Sequence, residues 1–148
     1  MSWIFRNKLV VLLVIAGAAY FFVNPPNRFG IVRKGFVVYN RIPVCSFDCS
    51  IDPKGKLYLE ADLRIKSNIT YWFENHVPGH YNESGGMLPL LVGTGFGDSV
   101  EIKFSQELVK KCRRRGLEPH FYTSREAIDR YNTLRDEKSA AALLLKVM

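Results

Sequence analysis

Gly93-Thr94-Gly95-Phe96-Gly97-Asp98 follows the apolar run Met87 to Val92 and has the look of a phosphate-cradling loop. Such a loop works by aiming free backbone amides and a helix N-terminus at an anion. Here Val100 to Phe104 separates the turn from the next helical pattern, and Asp98 stands where the third glycine of G-x-G-x-x-G belongs. An anion would meet that carboxylate. Gly93, Thr94 and Gly95 are thus the residues a small ligand or cofactor would touch. The competing reading is a tight turn that needs glycine for its backbone. No cofactor is expected.

His76-Val77-Pro78-Gly79-His80 supplies two imidazoles, with Glu74 and Glu83 nearby. A helical zinc face needs both rings on one side, and Pro78-Gly79 forbids that helix. His76 and His80 are therefore candidate metal ligands only from a loop, against the plainer reading of hydrogen-bonded or surface histidines. No nucleophile elbow or triad spacing occurs, and the chain is read as not an enzyme. Cys45, Cys49 and Cys112 form neither a disulfide framework nor paired Cys-x-x-Cys zinc ligands. They read as small buried hydrophobes, with a Cys45–Cys49 bridge conceivable in an oxidising compartment. Asn68-Ile69-Thr70 and Asn82-Glu83-Ser84 match the glycosylation sequon, a triplet common by chance.

Lys110-Lys111-Cys112-Arg113-Arg114-Arg115 could contact nucleic acid or anionic lipid. Cations at a helix C-terminus also complement its dipole, and the aromatic interleaving of single-strand binders is missing. The sequence points to no nucleic-acid partner. The chain carries 21 Lys+Arg against 14 Asp+Glu, an excess that suits anionic lipid or an acidic partner. The charge is uneven: no Lys or Arg lies between Lys66 and Lys103.

The setting is fixed by Leu9 to Val23, an apolar run without a charge. As a helix it covers roughly 22 Å against a hydrocarbon core of roughly 30 Å. Trp3, Ile4 and Phe5 can add a turn, with Arg6 and Lys8 snorkelling toward headgroups. Trp3 at one end and Tyr20, Phe21 and Phe22 at the other fit interfacial aromatic belts. Asn24-Pro25-Pro26-Asn27 ends the helix and isolates it. A signal peptide cleaved near Ala16-Gly17-Ala18 and a buried core helix are the competing readings. The apolar run continues past that cleavage site, which favours an uncleaved anchor. Arg6 and Lys8 before the run and Arg28, Arg33 and Lys34 after it leave the orientation open. The expected organisation is a membrane anchor and Pro-rich linker over 1–27 and one domain over 28–148.

Within the domain, Ile31 to Tyr39 and Val44 to Ile51 read as strands. Asp52-Pro53-Lys54-Gly55 is a turn. Leu57, Leu59, Ala61, Leu63 and Ile65 alternate with polar residues and predict a strand with one buried face. Asn68 to Gly86, rich in aromatics, glycine and proline, reads as a structured loop. Met87 to Val92 is a buried strand. Ser105 caps a helix whose buried stripe is Leu108, Val109 and Cys112, and Gly116 ends it. Pro119 to Tyr122 is a strand. Thr123-Ser124-Arg125-Glu126 is a capping box opening a helix that buries Ala127, Ile128, Tyr131 and Leu134. Ala140 to Val147 is a last strand. Strand–helix–strand–helix–strand predicts a largely parallel sheet.

The same order of motifs resembles the family of the adipogenesis-associated domain protein and the mitochondrial complex I assembly factor 3. The residues that carry it are Leu90-Leu91-Val92-Gly93-Thr94-Gly95, Gln106 to Arg115, Gly116-Leu117, Thr123 to Ala127, Tyr131-Asn132 and Ala140-Ala141-Ala142. Coverage is good over 87–148 and loose over 31–86, where Val37-Val38-Tyr39 and Trp72 with His76 or His80 are the counterparts. The resemblance implies a three-layer α/β domain with a mixed, largely parallel sheet; the apolar run Leu9 to Val23, which is not a usual feature of that family, adds one expected N-terminal transmembrane helix before it. The resemblance implies no catalytic residues. Taken with the apolar N-terminal run and the basic charge, it leads to the expectation of a single-pass accessory or assembly subunit of a respiratory-chain complex in the mitochondrial inner membrane. Membrane lipid and other subunits of that complex would be the partners. The alternatives are a bacterial inner-membrane protein of the same family, or a small-ligand-binding or enzymatic module using the Gly93–Asp98 turn.

Overall fold

The computed structural model describes residues 7–64, 66–77, 86–97 and 102–147. The elements in chain order are α1 (Lys8–Val23), β1 (Phe29–Arg33), β2 (Phe36–Tyr39), β3 (Ile42–Cys45), β4 (Asp48–Ile51) and β5 (Leu57–Glu60). There follow α2 (Lys66–His76), β6 (Leu88–Gly93), α3 (Gln106–Arg114), β7 (Leu117–Tyr122), α4 (Ser124–Asp136) and β8 (Ala142–Leu145).

β1, β2 and β3 form a small antiparallel sheet. The main sheet has the order β5-β4-β8-β6-β7. β8, β6 and β7 run parallel, and β4 and β5 add an antiparallel edge. The sheet is mixed, with its parallel part confined to three strands.

Strand periodicity divides the core in two. Cys49, Ile51, Leu91, Leu143 and Leu145 face one way and pack with Ala127, Ile128 and Tyr131 of α4 and with Val37, Tyr39 and Val44 of the small sheet. Leu90, Val92, Ala142 and Leu144 face the other way, against Ile69, Trp72 and Phe73 of α2 and Leu108 and Cys112 of α3. Three layers result. Each fully buried large apolar side chain contributes roughly 1.5–3 kcal/mol.

Ser105 accepts a hydrogen bond from the Leu108 amide at 3.2 Å and starts α3. Gly116, at φ 80°, turns the chain out of that helix into β7. Thr123 and Glu126 close the capping box of α4: Thr123 Oγ1 accepts from the Glu126 amide at 3.3 Å, and the Glu126 carboxylate accepts from the Thr123 amide at 3.1 Å.

The first half differs from the sequence pattern in four places. Ile31 to Tyr39 is not one strand but the hairpin β1–β2, folded at Lys34-Gly35 with Gly35 at φ 76°. Val44 to Ile51 breaks at Ser46 (φ 58°), which sends β3 and β4 into different sheets. The strand of alternating residues stops at Glu60, and its last two residues reverse the expectation: Leu57 packs against the core, but Leu59 is 58% exposed while Glu60 is 5% exposed. Buried polar partners for Glu60 explain that inversion. Asn68 to Gly86 is not a loop throughout, because α2 occupies Lys66–His76. Ile69, Trp72, Phe73 and Val77 recur at helical spacing and are all buried. Ile65, Pro78, Gly79, His80 and the Asn82 sequon lie outside the described residues, as do Trp3, Ile4, Phe5, Arg6, Asp98 and Val100.

Candidate functional site

The Gly93-Thr94-Gly95 turn sits at the carboxyl end of β6, where open α/β sheets bind ligands. Its amides are engaged within the protein. Thr94 N–H donates to the Tyr122 carbonyl at 2.9 Å and Gly95 N–H to Ser124 Oγ at 3.0 Å. Ser124 in turn donates its hydroxyl to the Lys146 carbonyl at 2.6 Å, and Lys146 N–H donates to the Gly93 carbonyl at 2.9 Å. A Cβ at Gly93 would stand 2.6 Å from Leu145 Cδ1 and 3.0 Å from Ser124 Cα. Glycine is required here because α4 begins against the strand. The turn therefore clasps the ends of β6 and β8 and the start of α4.

His76 ends α2 and reaches back to the main sheet. Its Nδ1 lies 2.9 Å from Glu60 Oε1, which also accepts the Ser50 hydroxyl at 2.5 Å. The imidazole stacks on Tyr58, with ring centroids 4.0 Å apart and planes 11° apart. Leu59, Ala61, Asn68 and Tyr71 complete a shallow pocket around it. Ser50 bonds the carboxylate and not the ring, so this is not a nucleophile–base–orienter arrangement. It ties the C-terminus of α2 to β4 and β5. His80, the other candidate ligand, lies outside the described residues. Among the described residues no three His, Cys, Asp or Glu side chains gather closely enough to hold a metal.

Beside it lies a second buried polar knot. Asp48 accepts from the Val147 and Leu63 amides, both at 2.9 Å, and its Oδ2 is 3.7 Å from Lys146 Nζ. Neither Asp48 nor Lys146 is signalled as buried by the sequence pattern, since both are charged. Their signal is tertiary: the end of β8 must pass the β5–α2 connection.

Cys45, Cys49 and Cys112 are free thiols. Cys45 is exposed on β3 and Cys49 is buried under the main sheet, which leaves no bridge between them. Burial pushes the Cys49 thiol up and that of Cys112 up to about 12, so neither offers a thiolate at neutral pH.

The basic run on α3 is partly structural. Arg115 Nη1 donates to the carbonyls of Phe73 at 2.7 Å and Val77 at 2.6 Å, and its guanidinium covers the Phe73 ring. It thereby satisfies carbonyls at the end of α2. Arg113 forms a two-point pair with Glu118.

α1 is the least domain-like element. None of its residues is buried, and Leu9, Leu12, Leu13, Val14 and Ile15 are all more than half exposed. Its sixteen residues rise about 24 Å, and no helix among the described residues is long and apolar enough to cross a membrane. Its last turn is joined firmly to the small sheet. Asn24 is 1% exposed and donates its Nδ2 to the Tyr20 carbonyl at 2.9 Å, while its Oδ1 accepts from the Ile31 amide at 3.1 Å. Tyr20 donates its hydroxyl to the Arg41 carbonyl at 2.8 Å, and Arg41 Nε donates to the Asn24 carbonyl at 3.3 Å. The Arg41 guanidinium stands 4.7 Å over the Phe21 ring. Gly30 permits this approach, since a Cβ there would lie 2.3 Å from Asn24 Oδ1. The expected linker is thus also a joint.

No family model matches the chain, and no curated protein matches it. Solved structures do. An outer membrane protein from Bartonella henselae is 19% identical, with a TM-score of 0.60 over 82% of this chain and 97% of that one. A conserved hypothetical protein from Pyrococcus horikoshii is 19% identical, with a TM-score of 0.55 over 82% of this chain and 98% of that one. A Mth938-like domain from Bordetella pertussis is 16% identical, with a TM-score of 0.62 over 82% of this chain and 85% of that one. At these identities the likeness is one of fold, and the α/β domain of this chain has the Mth938-like fold.

Proposed function

We propose that the chain is a single-pass, non-enzymatic accessory or assembly subunit of a respiratory-chain membrane complex, working by protein–protein contacts. The observation that carries the membrane part is α1. It is apolar on every side, contributes no buried residue to the domain and needs a non-aqueous surrounding for all of its faces. A helix with one apolar stripe would suit a protein groove; an all-round apolar helix suits lipid. Its length falls short of a full bilayer by about 6 Å, a mismatch met by local thinning and by Lys8 reaching to the headgroups. The respiratory complex rests on the family resemblance, and the mitochondrial inner membrane is the setting that would go with it. The bacterial sources of two of the matched structures support a bacterial plasma membrane as a second setting for the same role.

Native membranes solubilised in mild detergent test this reading. The chain should resist alkaline extraction and migrate with a larger complex, whose subunits are recovered by crosslinking. Extraction into the aqueous fraction, or migration as a free monomer, would overturn it.

A further inference from the structure

The joint between α1 and the small sheet has a consequence for what the domain touches. Tyr20, Phe21 and Asn24 fix the β2–β3 turn against the last turn of the helix. Tyr20 and Val23 differ in height by about 4.5 Å along the axis. Phe22 is 90% exposed and Val23 is 52% exposed, on the same turn of helix that carries the contact with Arg41. If these side chains enter lipid, the turn Asn40-Arg41-Ile42 is carried to the same depth.

The residues at that depth suit an interface. Ile42, the first residue of β3 after the turn, is 50% exposed although apolar, and Pro43 beside it is exposed. Arg41 is a cation that lies over an aromatic ring, in the layer where aromatic and basic side chains meet headgroups. No Asp or Glu occurs in the first 47 residues, which include Arg6, Lys8, Arg28, Arg33, Lys34 and Arg41. The first carboxylate, Asp48, is buried. This part of the chain has charge of one sign, complementary to an anionic bilayer surface.

We infer that the β2–β3 turn is a second membrane contact, with Ile42 seated in the interface and Arg41 against anionic phospholipid headgroups. The domain is then held at a fixed angle close to the bilayer instead of swinging on a linker. This rests on α1 being in lipid, and the two claims separate experimentally.

The full chain is reconstituted into vesicles of phosphatidylcholine with phosphatidylglycerol, carrying one polarity-sensitive fluorophore on an introduced cysteine. Cys45→Ser removes the exposed native thiol, and Cys49 and Cys112 are buried. Labels are placed through Leu12→Cys, Ile42→Cys and Lys34→Cys. Lys34 lies at the other end of the hairpin, roughly 13 Å away along the strand. The expected result is a blue shift at positions 12 and 42 and none at 34. A blue shift at 12 with a water-like spectrum at 42 would overturn the second contact and leave the anchor standing. A water-like spectrum at 12 would overturn both. The anionic component is read by leaving out phosphatidylglycerol with Arg41 in place, because its side chain also holds the joint. The shift at 42 should then fall; an unchanged shift would refute the contact of Arg41 with anionic headgroups.

Discussion

Helices α1 and α4 are of similar length and solve the same problem in opposite ways. α4, over Ser124–Asp136, places Ala127, Ile128 and Tyr131 on one face and buries that face completely against the sheets. Its polar face meets water, and its first turn is closed by a capping box. α1, over Lys8–Val23, has apolar residues on every face, no side-chain cap at its start and nothing buried. One helix finds its low-dielectric partner inside the protein. On the proposed reading the other finds it outside, in lipid. The amount of apolar surface is not the distinguishing property; its arrangement around the axis is.

The largest expected effect tests the inside half of that contrast. Tyr131 is fully buried, packs edge-on to Phe29 and Tyr39, and has its hydroxyl 3.2 Å from that of Tyr39. Tyr39 spends its own proton on the Gly55 carbonyl at 2.9 Å, so Tyr131 is the donor between the two phenols. Tyr131→Ala should cost about 3–5 kcal/mol, read as a lowered urea midpoint. Leu12→Ala should move that midpoint by less than about 0.5 kcal/mol. Equal losses would mean that α1 packs into the domain and that the contrast is false.

The outside half is tested by a charge. On the proposed reading Val14 lies near the centre of the immersed helix. Val14→Asp should then cost roughly 2.5–3.5 kcal/mol of insertion and release the chain into alkaline extracts. Its urea midpoint as a detergent-free domain should stay where it was. A variant that unfolds the domain but stays in the membrane would reverse the assignment of the two helices.

The contrast also explains what could be read from the sequence. α3 and α4 announce themselves through Ser105, Thr123 with Glu126, and Gly116, whose effects act within one turn of chain. β6, β7 and β8 follow because strands and helices alternate. α1 is legible from composition alone. The region 29–76 is harder, because its decisive contacts are distant. Asn40, Arg41 and Ser46 take positive φ without being glycine, so the turns they form leave no glycine signal. Leu59 and Glu60 invert the expected faces because Ser50 and His76 are waiting for the carboxylate. α2 includes Asn68 and Thr70, poor helix formers, and is held by the burial of Trp72 and Phe73. Of the candidate site residues, Gly93, Thr94 and Gly95 are where the strand end predicts them. Their hydrogen-bond partners, Tyr122, Ser124 and Lys146, come from two other elements and could not be read locally.

A smaller effect isolates the cap that α1 lacks. Thr123→Ala removes the acceptor for the Glu126 amide and should cost about 1 kcal/mol. Thr123→Ser keeps the oxygen and should recover most of it. The urea midpoints of the three proteins check this. A loss that serine does not restore would point to the packing of the threonine methyl, not to the cap.

The smallest effect is a dependence on acid. The Thr123 hydroxyl, and after it the Thr123 amide, donate to the Glu126 carboxylate and hold it below the usual carboxylate range. A carboxyl depressed in the folded state adds stability above its unfolded value of about 4.3 and loses it as pH falls through the folded value. Between about pH 6 and pH 3 the native chain should therefore lose slightly more stability than Glu126→Gln, whose amide cannot titrate. α1 contains no carboxylate, so on the proposed reading its helicity in lipid has no matching acid-labile cap. Far-ultraviolet dichroism of the domain in water and of the chain in vesicles, followed over that pH range, separates the two. Parallel loss in both proteins would show that groups other than Glu126 govern the acid response and that the α4 cap contributes nothing measurable to it.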